Sequence, residues 1–190
     1  LALDRNEALL VTEHMRHHGI DVRLGAGVAE IVRGEGGGPR VTRLETGEEI
    51  PCDLVVCAIG VVPNTKFLEG SALALSKGGA VEVDDALQAS APDIYAAGDC
   101  ANVTWADGSR RPEQLWYTAR DQGRAAGRAL LGDRVSYERG LHYNSAKLMD
   151  IEYTTVGLVN THQPDEREWF FAETGRVSST TRIIVQGERV

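Results

Sequence analysis

The stretch with the clearest capacity for chemistry is residues 94–100, IYAAGDC, where a carboxylate follows a short apolar run. The apolar residues suit a buried parallel strand, and Gly98 permits a turn or the close approach of a ligand. Asp99 would then stand at the carboxyl end of the strand, where open α/β sheets bind their ligands. A carboxylate there can accept hydrogen bonds from the hydroxyls of a sugar or ribityl chain. The alternative interpretation is a turn that carries a solvated aspartate.

Two histidines at helical spacing form a second candidate group. His14 and His18 stand at i and i+4, a spacing that can hold a metal ion on one helix face. No further ligand stands at a plausible distance in the sequence. We therefore expect surface histidines near the negative end of a helix, and no metal site.

The spacing of the cysteines and glycines does not match a metal-binding or phosphate-binding motif. Cys52, Cys57 and Cys100 form neither a CxxC pair nor a metal-ligand spacing, so we expect buried thiols in a reducing cytosol. Cys100 is interpreted as a packing residue rather than a nucleophile. Because neither GxGxxG nor GxxxxGK occurs, no phosphate cradle is predicted. The catalytic residues are not identified from the sequence.

A second apolar strand and a long helix would have to position these groups. Residues 54–59 are apolar throughout, which predicts a strand covered on both faces. A helix is predicted from residues 111–112 to Gly132, because Pro112 suits a first helical position and Glu113 complements the positive end of the helix dipole. Taken alone, this helix could also be an ordinary amphipathic helix with aromatic core residues.

Residues 58–64, AIGVVPN, end the strand predicted at residues 54–59 and precede IYAAGDC in the chain. This pair, in this order, resembles the second half of the FAD-dependent pyridine-nucleotide-disulfide oxidoreductase superfamily. There an ATGxxPN-like segment ends the NAD(P)H domain, and an hYAhGD segment returns the chain to FAD. The resemblance implies FAD and NAD(P)H as cofactors. It implies that Gly60 lines the NAD(P)H side, that Asp99 holds ribityl or ribose hydroxyls, and that Gly98 permits close approach.

The resemblance also gives the long helix a role, because in the superfamily its N-terminus points at the pyrimidine edge of the flavin. Reduced flavin carries negative charge there, and a helix N-terminus offers N–H groups and a partial positive charge. Leu115, Trp116 and Tyr117 match the positions whose backbone usually meets that edge, and the helix beginning near Gln114 is implied to bind and stabilise the reduced flavin.

The fold class predicted is α/β, a partial doubly wound, Rossmann-like FAD/NAD(P)-binding fold followed by a smaller α+β interface domain. A helix after Asp4 and a strand at residues 20–24 look like the tail of a mononucleotide-binding unit, and a β-meander follows. The implied domains are the remainder of the NAD(P)H domain, the C-terminal segment of the FAD domain, and a truncated, strand-rich interface domain. They span residues 1–63, 64–135 and 136–190 respectively.

The composition fits a cytoplasmic globular protein. The net charge of −8 offers no basic face to nucleic acid or anionic lipid, and no apolar run approaches the ~20 residues of a membrane span. The resemblance implies an NAD(P)H oxidoreductase that pairs as a homodimer and passes hydride through FAD to an unidentified small molecule or electron-acceptor protein. The alternative is a non-catalytic nucleotide-binding or dimerisation module. Both chain ends read as cut, and residues 1–190 alone are expected to hold neither cofactor.

Overall fold

The structure, a computed structural model, describes residues 3–105, 108–157, 163–173 and 179–187. The chain divides into two compact units. The terminal unit contains Leu1–His17 together with Gly140–Val190, and the central unit contains His18–Arg139. The domain boundaries predicted at residues 63 and 135 stay predictions.

Helices and strands alternate irregularly along the described residues. The helices are α1 (Arg5–His17) and α2 (Trp116–Leu130). The strands are β1 (Val28–Arg33), β2 (Pro39–Leu44), β3 (Glu49–Pro51), β4 (Val81–Glu82), β5 (Ala101–Thr104), β6 (Arg110–Arg111), β7 (Tyr143–Leu148), β8 (Ile151–Val156), β9 (Glu166–Glu173) and β10 (Ser179–Gln186). Neither helix in this part of the chain has the length and hydropathy that crossing a membrane requires.

The predicted β-meander forms the first part of the central unit. Strands β1, β2 and β3 pair antiparallel in that order. The glycine-rich segment between β1 and β2 makes a tight turn, in which the Gly34 N–H donates to the Gly38 carbonyl at 2.8 Å. Short runs rich in valine and isoleucine on either side of a glycine-rich turn are a local signal, and this explains why the sequence predicted the meander correctly.

The core of the central unit lies between a small sheet and helix α2. Strands β4 and β5 pair parallel, and β5 pairs antiparallel with β6. Apolar side chains from these strands, from the preceding loop and from α2 form one buried cluster: Val81, Val83, Leu87, Ala101, Val103 and Ala126. Burying each large aliphatic side chain stabilises the fold by about 1.5–3 kcal/mol. This core fixes the position of the turn that joins residue 97 to β5.

Three predicted strands are absent. Residues 20–24 and 54–59 form no strand, and residues 94–97 make only an antiparallel bridge from Tyr95 to Gln88. An apolar run predicts burial, but a strand also needs partners for its backbone and cover for its faces. The described residues of the central unit supply neither for residues 54–59, where the Ile59 side chain is 95% exposed.

The terminal unit consists of α1 and two hairpins. Helix α1 begins just after Asp4 and ends before Gly19, whose φ of +79° suits the C-terminal stop that the sequence predicted. Strand β7 pairs with β8, and β9 pairs with β10, both antiparallel. Arg182 on β10 binds the carboxylates of Asp4 and Glu7, with 2.8 Å between its Nε and Glu7 Oε1. This ion-pair cluster attaches the start of α1 to the second hairpin.

Candidate functional site

Asp99 lies in a sharp turn at the entrance to β5. Ala97 is extended, Gly98 has a φ of +79°, and residues Gly98–Cys100 form a short 3-10 helix before Ala101 begins the strand. A positive φ is far easier for glycine than for a residue with a Cβ. The Asp99 side chain is exposed, and its carboxylate has no partner within the described residues. The turn therefore presents an acceptor group to the surroundings.

Helix α2 starts later than the sequence predicted. Its first residue is Trp116, and the preceding Leu115 is extended and gives no side-chain cap. The first hydrogen bond of the helix runs from the Ala119 N–H to the Leu115 carbonyl at 3.0 Å. Because the first-turn N–H groups of a helix have no acceptor inside it, an uncapped start offers them to a ligand.

The late start follows from an ion pair that the sequence did not reveal. Glu113 and Arg139 have side chains that are only 2% and 4% exposed, and Arg139 Nε donates to Glu113 Oε2 at 2.9 Å. Glu113 is therefore held in a buried pair before the helix, so its predicted place at the positive end of the helix dipole is wrong. No local pattern could show this pair, since its members stand 26 residues apart.

Trp105 extends the same cluster. The Arg139 guanidinium carbon lies 4.3 Å from the centroid of the Trp105 ring, and that of Arg111 lies 3.9 Å from it. The Trp105 Nε1 also donates to the Arg111 carbonyl at 3.1 Å. Cation–π contacts and hydrogen bonds thus hold the segment that leads into α2.

Gln114 connects the start of α2 with the loop that carries Gly60. The Gln114 Nε2 donates a long hydrogen bond to the Val61 carbonyl, at 3.4 Å. Gly60 is exposed and has a φ of +94°. The structure therefore brings the predicted NAD(P)H-side loop to the start of α2.

Gln122 connects α2 with the Asp99 turn, and sequence reasoning missed it. Its side chain is 0% exposed, and its Oε1 accepts the Gly98 N–H at 2.7 Å. A Cβ on Gly98 would lie 3.5 Å from the Cβ of Ala119, so the turn packs directly on the helix. The available signal was a polar residue in the apolar stripe formed by Ala119 and Ala126.

The aromatic residues at the helix start do not belong to the core. Trp116 is 70% exposed, and its ring meets that of Tyr117 edge to face, with centroids 5.6 Å apart. Leu115 and Tyr117 are half-buried. The alternative interpretation of aromatic core residues therefore fails for Trp116.

The remaining candidate residues from the sequence are two histidines and three cysteines. His14 contacts the Asp150 carboxylate inside the terminal unit. Cys52 and Cys100 are half-buried, and the Cys100 Sγ donates to the Ala97 carbonyl at 3.5 Å. Cys57 is exposed, so the prediction of three buried thiols is wrong there, because its segment has no cover.

Comparison with known proteins shows what this arrangement is similar to. The sequence profile of the pyridine nucleotide-disulphide oxidoreductase family matches residues 2–123, more than half of the chain. The chain belongs to this family. Membership confirms the predicted superfamily resemblance.

Individual relatives of the chain resemble it over most of its length. The 5,5'-dehydrodivanillate O-demethylase ferredoxin reductase subunit of Sphingobium is 38% identical over 164 residues, which cover 84% of this chain and 38% of that protein. The NAD-dependent persulfide reductase of A. fulgidus superposes with a TM-score of 0.86 at 26% identity, covering 98% of this chain and 36% of that chain.

A third relative is matched over a similar share of its own length. The FAD-dependent pyridine nucleotide-disulphide oxidoreductase of Desulfovibrio vulgaris gives a TM-score of 0.75 at 26% identity, over 82% of this chain and 39% of that chain. The chain therefore spans less than two fifths of the length of these relatives. Their structures confirm the predicted α/β, Rossmann-like fold class.

Proposed function

We propose that these residues serve in a flavoprotein oxidoreductase, as part of the site where NAD(P)H reduces FAD. One observation carries the proposal: Gln122 bonds the Asp99 turn to helix α2, and Gln114 bonds the Gly60–Val61 loop to the residues just before that helix. Hydrogen bonds thus connect a carboxylate-bearing turn, an uncapped helix start and a glycine-containing loop within the central unit. The relatives named above act with FAD, with NAD or as a ferredoxin reductase, which supports this assignment.

The donor and acceptor groups on the chain fit the flavin half of FAD. The Asp99 carboxylate is exposed and unpartnered within the described residues, so it can accept hydrogen bonds from sugar or ribityl hydroxyls. The start of α2 has no side-chain cap, so its N–H groups can donate to the carbonyl edge of the pyrimidine ring. Gly98 lets the turn adopt its positive φ and pack directly on α2, beside the exposed Asp99.

The chemistry comes mainly from the cofactor. When bound, FAD accepts a hydride from NAD(P)H and hands electrons to an acceptor. The contribution of this chain is to bind and orient. Asp99 holds hydroxyls, the backbone of Gln114, Leu115, Trp116 and Tyr117 faces the pyrimidine edge, and the Gly60 loop lines the nicotinamide side. The positive end of α2 favours the negative charge of reduced flavin.

We also propose a domain organisation, an oligomeric state and an electron acceptor for the complete protein. Residues 1–63 would complete the NAD(P)H-binding domain, residues 64–135 the FAD-binding domain, and residues 136–190 a subunit interface that forms a homodimer. The acceptor is an electron-acceptor protein or a small molecule. The thiols suit a cytoplasmic location, since the described cysteines are free.

The test uses the complete protein that contains these residues. We expect it to purify with flavin absorption bands, and we expect NADH or NADPH to bleach them under anaerobic conditions. A non-catalytic module of the same fold is the rival function. Flavin that binds but is not reduced by either nucleotide would support that rival, and a colourless protein that takes up no added FAD would refute the proposal.

A further inference from the structure

The buried Gln122 has a feature that stability alone does not explain. Its Oε1 accepts the Gly98 N–H, but its Nε2 is buried and has no hydrogen-bond partner among the described residues. The Tyr137 hydroxyl is buried as well and makes no hydrogen bond of ordinary geometry among the described residues, although the Gln122 amide lies close enough to lower its pKa. An unsatisfied buried donor costs about 1–3 kcal/mol relative to a satisfied one. An apolar residue of similar volume would avoid that cost at Nε2 and would fill the same apolar stripe.

The hydrogen bond to Gln122 is made by the backbone of Gly98, where the chain turns sharply. Gly98 stands between the extended Ala97 and the turn that carries Asp99. Its φ is +79°, a value that glycine adopts easily because it has no Cβ. The bond at 2.7 Å fixes the Gly98 peptide and thereby the direction in which the chain enters Asp99. Gln122 itself sits on a rigid helix, about 9 Å along the axis from the first residue of α2.

We propose that Gln122 is a positioning residue that holds the Asp99 carboxylate at a fixed distance from the N-terminus of α2. This inference rests on the proposed function, because both groups would contact the same FAD. A ligand that bridges a carboxylate and a helix end requires a fixed distance between them, and preorganising the two lowers the cost of binding. Gln122 supplies that fixed distance without touching the ligand.

The experiment replaces Gln122 in the complete protein. Gln122→Met keeps the volume but removes the acceptor, and Gln122→Glu keeps an acceptor oxygen in the same place. Thr65→Val is the matched control, since Thr65 is also buried in the central unit and its Oγ1 donates to the carbonyl of another positive-φ glycine, Gly79, at 2.5 Å. FAD affinity, the midpoint potential of the bound flavin and the melting temperature are measured for each variant.

We expect Gln122→Met to weaken FAD binding about 10-fold, as the loss of one net hydrogen bond allows. The potential of its bound flavin should become more negative, because the helix end no longer aligns with the charge of reduced flavin. Gln122→Glu should bind FAD within about 3-fold of the unaltered protein. Thr65→Val should lower the melting temperature but leave the potential unchanged.

The outcomes separate this inference from the proposed function. Absence of flavin from the unaltered protein would overturn the proposed function and the positioning role with it. Flavin in the unaltered protein, together with an unchanged affinity and potential in Gln122→Met, would overturn the positioning role alone. A potential shift of equal size in Thr65→Val would also overturn it, because a general loss of packing would then account for both.

Discussion

At the scale of single residues, Asp99 carries most of the proposed binding chemistry. Replacing Asp99 by Ala removes a charge-assisted hydrogen bond worth about 1.5–3 kcal/mol, so FAD affinity should fall about 10- to 100-fold. The dissociation constant of FAD in the complete protein measures this. Asp85→Ala is a suitable control, because Asp85 is an exposed carboxylate of the same unit. Equal dissociation constants for Asp99→Ala and the unaltered protein would exclude the assigned role.

Tyr137 makes a second residue-level prediction, which concerns pH. Burial raises the pKa of Tyr137 above its ordinary value of 10.0, and the charge of Glu113 adds to the effect, while the Gln122 amide acts in the opposite sense. The unfolded chain therefore loses this proton first as the pH rises above about 10, and the folded state loses stability there. Below that pH the contribution is fully present.

Tyr137→Phe isolates this contribution. Melting temperatures measured between about pH 8 and about pH 11 should fall less steeply for the variant than for the unaltered protein, because the phenol that drives part of the fall is gone. Tyr117→Phe is the comparison, since Tyr117 is another half-buried tyrosine of the central unit. Parallel curves for Tyr137→Phe and the unaltered protein would contradict the prediction.

At the scale of elements, the sequence predicted best where the signals are local. The β-meander was found because its apolar, valine-containing strands and the glycine-rich turn between them lie within one short stretch. The candidate segments at Gly60, Asp99 and Gln114 were singled out because each has a distinctive local sequence, and their binding roles stay predictions. The start of α2 was placed too early, because Glu113 is held by Arg139 from a distant part of the chain. Residues 54–59 were misread as a strand because composition reports a tendency to be buried and not the presence of partners.

The Glu113–Arg139 pair predicts how firmly the entrance to α2 is held. Removing one member of a buried pair leaves the other charge buried and uncompensated, which costs about 3–5 kcal/mol. Glu113→Ala should therefore lower the free energy of unfolding by about that amount in urea denaturation. Glu152→Ala is the control, because its pair with Lys147 is largely exposed and worth at most about 1 kcal/mol. Similar losses in the two variants would show that Glu113 and Arg139 do not act as a buried pair.

At the scale of the whole molecule, the proposed homodimer concerns the terminal unit. Strand β9 carries the exposed aromatic residues Trp169, Phe170 and Phe171, and Trp169 stands opposite the exposed Ile183 of β10. Successive residues of a strand point to opposite faces, so Trp169 and Phe171 share one face with Ile183. Aromatic residues are enriched at the centres of protein interfaces, where truncation often costs 2 kcal/mol or more, that is at least about 30-fold in affinity.

Sedimentation of the complete protein should accordingly show a dimer at micromolar concentration. At least one of Trp169→Ala, Phe170→Ala and Phe171→Ala should raise the dimer dissociation constant by at least about 30-fold, because an anchor residue is lost from the interface. Thr154→Ala on the separate β7–β8 hairpin is the control, and it should leave the dissociation constant unchanged. FAD content, measured in the same samples, should not fall in the three aromatic variants, because the candidate flavin site lies in the central unit. A monomeric unaltered protein, or a dimer that none of the three substitutions weakens, would contradict the assignment of β9 to the subunit interface.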